Sequence, residues 1–179
     1  MDKKRKKQLV NELRIKRLEA MLASDDPKDV HYAKVELGII PEPMTEELIL
    51  STAPVDLVKL VVTRAEDKIS AIYNSDPRKY KDRELLWGIF PEYIRFLHDI
   101  YYFEMMVFIG DCVKYVDSED DKDKARLIEG YNFFGFPGIA LPMIDGDWEG
   151  IEKWHDRHRT AISESLIKFI RDNVSNFTY

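Results

Sequence analysis

A chain of 179 residues with a single cysteine, Cys112, is long enough to bury its own core and has no internal disulfide to hold it together. Its net charge of −6 is uneven: residues 1 to 23 carry eight basic side chains against three acidic ones, a net of +5, which leaves −11 for the rest. No secretory leader and no bilayer-spanning apolar run can be read in it, so the expectation is one cytoplasmic helical domain, 1–179, that does not engage a membrane.

Helical periodicity dominates the chain and no segment alternates like a strand, which predicts an all-α fold of six to eight helices. A basic helix from about Lys4 to Ala23, peripheral to the core, ends at "SDDP". A short helix over "PKDVHYAKVELG" has Pro27 in its first turn and Gly38 as its stop. Prolines 41 and 43 make "IIPEPM" a connector, and Thr45 caps two turns over "TEELILS". Residues 54 to 74 form a strong helix, with Val58, Val61, Val62, Ala65, Ile69 and Ile72 in one stripe and Lys59 facing away.

The central helix spans about 91 to 116. Ile94, Leu97, Tyr101, Met105, Phe108, Cys112 and Tyr115 make one stripe, and Tyr93, Phe96, Ile100, Phe103 and Val107 a second beside it. A helix apolar around most of its circumference is buried among others, so this one is the core. "DSEDDKD" is a solvated turn before a helix over about 120 to 133. Residues 132 to 148, "NFFGFPGIALPMIDGDW", hold three glycines and two prolines and show no period, which predicts a long apolar loop. Asp147 caps a last helical region from Trp148 to about Asn173.

One short stretch looks like chemistry: "EKWHDRHR", residues 152 to 159. Residues three apart on a helix lie about 60° around its axis, so Glu152, His155 and His158 can address one point. A di-iron site needs a second Glu-x-x-His pair, and neither His31, preceded by Lys28, nor His98, preceded by Arg95, supplies it. A single zinc held with Glu104 or Asp111 stays open, but Lys153, Arg157 and Arg159 oppose a cation. The plainer reading is a solvated face with pairs Glu149–Lys153 and Asp156–Arg159.

Glu104 falls inside the apolar arc of the central helix, between Leu97 and Phe108, with Asp111 almost beneath it and His98 at the edge. A carboxylate there needs a partner or a proton. If the last helix packs alongside, Glu104 meets His155, Arg157 or Arg159, most simply as an ion pair that fixes how two helices dock. Cys112 reads as a small core residue, and "DGDW" as a turn with a helix cap.

No phosphate loop, nucleophile elbow or Cys-x-x-Cys pair is present. The expected function is that of a non-catalytic, acidic, helical binding protein without a cofactor. An inhibitor, immunity or antitoxin-type protein acting on a basic macromolecule, another protein, fits it. Its contacts would be Phe133, Phe134, Phe136, Ile139, Asp145, Asp147 and Trp148. One alternative is a metal-dependent enzyme using Glu104, Asp111, Glu152, His155 and His158. The other is a nucleic-acid binder led by Lys3, Lys4, Arg5, Lys6 and Lys7.

Overall fold

The structure, a computed structural model, describes residues 3–80, 82–111 and 121–179, without the side chain of Lys4. The described residues are helical and contain no strand. In chain order the α-helices are α1 (Lys3–Leu22), α2 (Pro27–Glu36), α3 (Glu46–Ser51), α4 (Pro54–Ser75), α5 (Glu92–Phe108), α6 (Asp121–Phe133), α7 (Ala140–Asp145) and α8 (Trp148–Asp172). Tighter 3-10 turns cover Glu84–Ile89, Pro137–Ile139 and Val174–Phe177. The expected caps form, the Thr45 and Asp147 side chains accepting from the amides of Leu48 and Gly150, and Asp26 adds another by accepting from the amide of Lys28.

The chain makes two compact units that share α4: residues 1–43 with 64–89, and 44–63 with 90–179. In the first, α1 runs against α2 and buries Leu18, while Ala33, Val35, Ala65, Ile69 and Ala71 close the core. Polar ties support it. His31 Nε2–H donates to Asp67 Oδ2 at 2.7 Å, and Asn74 Nδ2 donates to the Val35 carbonyl at 3.2 Å.

The second unit is built around α5. Ile94, Leu97, Ile100 and Phe103 are fully buried, each stabilising the fold by about 1.5–3 kcal/mol relative to exposure. α6 lies closely along α5, and Gly130 permits this: a Cβ there would stand 3.2 Å from Cβ of Phe96. Edge-to-face rings join Phe133, Phe134 and Phe169, and Phe169 also packs on Tyr93 and Phe177. The last residues belong to this core: Phe177 is buried and the Tyr179 hydroxyl donates to the Val61 carbonyl at 3.0 Å.

Two expectations change. The central helix stops at Phe108, because Gly110 takes φ +75° and closes a Schellman cap: its amide bonds the Val107 carbonyl and the Asp111 amide that of Met106. Asp111 is therefore off the helix, and Met105 and Phe108 leave the core, Phe108 being 69% exposed. Cys112 and Tyr115, read as core positions, lie outside the described residues, as do residues 117–120 of the acidic turn. The segment from 132 to 148 is not one loop. Gly135 ends α6, Pro137 opens a 3-10 turn, and α7 follows until Gly146 takes φ +65°.

Candidate functional site

The second unit holds a polar cluster where α5, α6 and α8 meet. Glu104 projects from α5, Tyr131 from the end of α6 and His155 from α8. The Tyr131 hydroxyl donates to Glu104 Oε1 at 2.6 Å, and His155 Nε2–H donates to Oε2 at 2.5 Å. Tyr131 and His155 are buried, while the Glu104 side chain keeps 21% of its surface. The carboxylate expected to need a partner thus has two, one on each oxygen. Bonds to a charged acceptor contribute about 1.5–3 kcal/mol each, so the cluster fixes three helices together.

The rest of "EKWHDRHR" does not converge on this point. His158 turns its Nδ1–H to the Trp154 carbonyl at 2.7 Å and stacks on the Trp154 indole at 4.5 Å. Glu149 pairs with Lys153 at 2.5 Å as expected, but Arg159 lies over the Phe108 ring at 5.0 Å rather than against Asp156. Among the described residues no three His, Cys, Asp or Glu side chains group as metal ligands. The set Glu104, Asp111, Glu152, His155 and His158 therefore reduces to the Glu104–His155 pair: α5 ends before Asp111, and Glu152 is exposed.

The outward face of the Glu104 cluster opens into a cleft of about 170 Å³ between the start of α4, α5 and α8. Lys59, Tyr101, Glu104, Arg159 and Ser163 line it beside Val58, Ile162 and Leu166. Lys59 was read as solvent-facing from its helix alone; only the packing of α5 and α8 makes it part of a concave wall.

A second cluster escapes the periodicity altogether. Asp99, 4% exposed, accepts from His98 Nδ1 at 2.8 Å, Arg95 Nε at 3.2 Å and Arg126 Nε at 2.5 Å. Arg126 also reaches Asp123 at 2.5 Å. Burial works to raise the Asp99 pKa, but the hydrogen bonds from His98 and Arg126 and the charge of Arg95 outweigh it and hold the carboxyl below its usual range. Position 99 lies one turn from both Phe96 and Phe103, and an acidic residue among apolar neighbours was the available signal.

The residues expected to face a partner divide. Phe134 and Ile139 are buried, because the 3-10 turn after Pro137 folds the chain back onto α8. Phe136 meets Trp154 edge-on, Trp148 is half-buried, and Phe133 packs one side on Phe96 while exposing the other. Asp145 and Asp147 are exposed, Asp147 serving as cap of α8. Besides Phe133, the large apolar residues exposed in this segment are Leu141 at 71% and Ile144 at 72%, neither of them among the expected contacts. Ile144 and Met143 border a groove of about 490 Å³ whose other wall is Asp121, Lys124, Ala125, Ile128 and Glu129 of α6.

Lys3, Arg5, Lys6 and Lys7 are exposed on α1. No described helix is long and apolar enough to cross a membrane. No family model, curated protein or solved structure matches the chain.

Proposed function

We infer that this chain is a binding protein that receives a basic macromolecular partner, an inhibitor or antitoxin type of role, on the groove between α6 and α7. The observation that carries the reading is the composition of that groove. Ile144 of α7 faces Ile128 and Ala125 of α6 across it, Asp121 and Glu129 line it against one lysine, Lys124, and Leu141 stands exposed on the same short helix as Ile144. Apolar residues this exposed cost solubility, and an apolar centre with a charged rim is how protein interfaces are built. The acidic rim and the charge of −11 beyond residue 23 steer toward cations.

The test is affinity capture from extract of the producing cells, with the wild-type chain and the double variant Leu141→Ser, Ile144→Ser, at about 50 and 500 mM salt. A basic protein retained at low salt, weakened at high salt and lost with the double variant is the expected result. Retention that is indifferent to both the salt and the variant would sink the reading.

A further inference from the structure

The cleft above Glu104 has the makings of a small-molecule site distinct from the α6–α7 groove. Two cations line it, Lys59 and Arg159, and among the described residues neither forms an ion pair. Lys59 is exposed on α4; Arg159 is held over the Phe108 ring at 5.0 Å, which restricts the guanidinium before anything binds. Two unpaired cations in one concavity attract an anion, and a carboxylate suits a guanidinium by geometry as well as charge.

The same cleft contains Glu104, whose two oxygens each accept one bond and keep further lone pairs. Beside it a purely anionic ligand would meet repulsion. A ligand that carries an ammonium group close to its carboxylate satisfies both sides at once. Val58, Ile162 and Leu166 supply an apolar wall for a short aliphatic chain, with the Ser163 hydroxyl at the rim. The volume of about 170 Å³ limits size. A cavity of about 150 Å³ accommodates benzene, so the guest has on the order of six to nine heavy atoms.

We propose that this cleft binds a small aliphatic α-amino acid as its zwitterion. Lys59 and Arg159 take the carboxylate, Glu104 takes the ammonium group, and Val58, Ile162 and Leu166 cover the side chain. Tyr131 and His155 are positioning residues that hold Glu104 from behind. The ligand would bridge α4, α5 and α8 within one unit, so its presence would raise the stability of that unit by mass action.

The proposal is tested by isothermal titration calorimetry on the full chain with three probes of matched shape: L-leucine, 4-methylpentanoate and isoamylamine. L-leucine is expected to saturate one site. 4-Methylpentanoate, which is L-leucine without the ammonium group, is expected to bind at least ~10-fold more weakly, and isoamylamine more weakly still. Lys59→Gln and Arg159→Gln, both at exposed positions, should each weaken L-leucine at least ~10-fold, while Lys153→Gln on the outer face of α8 leaves it unchanged. Unchanged melting temperatures without ligand would show that these variants fold. The proposal is overturned if L-leucine shows no saturable heat up to about 10 mM, if the two variants bind as the wild type does, or if isoamylamine binds as tightly as L-leucine. None of these outcomes bears on the α6–α7 groove, which shares no residue with the cleft.

Discussion

Asp99 and Glu104 sit a little more than one turn apart on the same helix, and their surroundings make them unequal. Asp99 is enclosed and carries three donors, two of them arginines, whereas Glu104 keeps an open edge and two donors. Asp99→Asn would leave Arg126 and Arg95 facing a neutral amide in a buried site. Breaking a buried charged network in this way costs about 3–5 kcal/mol. Tyr131→Phe removes a single hydroxyl from a carboxylate that still holds His155 and can recruit water through the cleft, so a loss at the low end for a bond to a charged acceptor, about 1.5 kcal/mol, is expected. Urea unfolding at pH 7 checks the ranking; equal losses would mean that Asp99 is no more committed than Glu104. The Asp99 loss should also depend on pH. Its folded pKa is depressed, so its contribution is complete above the unfolded value of about 3.9 and fades as pH falls through the lower folded value. The gap between wild type and Asp99→Asn should therefore narrow at about pH 3 compared with pH 7. A gap that widens on acidification would contradict the assignment of Asp99 as the anion of the network.

The ends of helices, more than their existence, separate the reading of the sequence from the structure. The stripes of α4 and α5 are visible because burial of one face imposes a 3.6-residue period, and Val61, Val62, Ala65, Ile69, Ile94, Phe96, Leu97, Ile100 and Phe103 on them are buried, whereas Met105 and Phe108 are not. The end of α5 is hidden because the apolar spacing continues past Gly110 into Cys112 and Tyr115, and a count of apolar positions gives no weight to one glycine. The glycine wins: its left-handed backbone satisfies two helix carbonyls that would otherwise be orphaned. Gly110→Ala should cost about 1–2 kcal/mol from the φ of +75° alone, since among the described residues nothing lies within 4 Å of the added Cβ. Chemical denaturation would register it; a neutral substitution would mean that the turn relaxes at no cost. α7 was hidden for the opposite reason. Six residues carry too little period to read, and the helix exists because Met143 and the preceding Ile139 have a core to enter. The Glu104 cluster was half visible. A carboxylate in an apolar arc announced that it needed a partner, and His155 was among those named, but nothing in the spacing pointed to Tyr131. Lys59 and Arg159 read as solvated faces because a concave wall is a property of three helices, which no single one displays.

Charge is the property of the molecule as a whole that separates the competing functions. The excess of +5 over residues 1 to 23 invites a nucleic-acid reading, but it stands on a chain whose remainder carries −11. Phosphate binding gains from every cation brought to the backbone and loses from every anion brought with it. On α1 the described lysines and arginines of the first turns are exposed and spread around the helix, and only Lys7 and Arg14 of α1 share a groove with another cation, Arg78, among the described residues. Removing residues 1–7 deletes five of those cations and one anion and takes the net charge from −6 to −10. Because the described side chains in that stretch bury nothing, the melting temperature should move by no more than about 2 °C, well under the shift that losing one core contact produces. Fluorescence anisotropy with a short labelled duplex should find weak binding at about 50 mM salt that is gone by about 150 mM, with or without the segment. Sub-micromolar binding that survives about 150 mM salt and disappears on truncation would reverse the ranking: α1 would be the working surface, and the acidic remainder its counterweight.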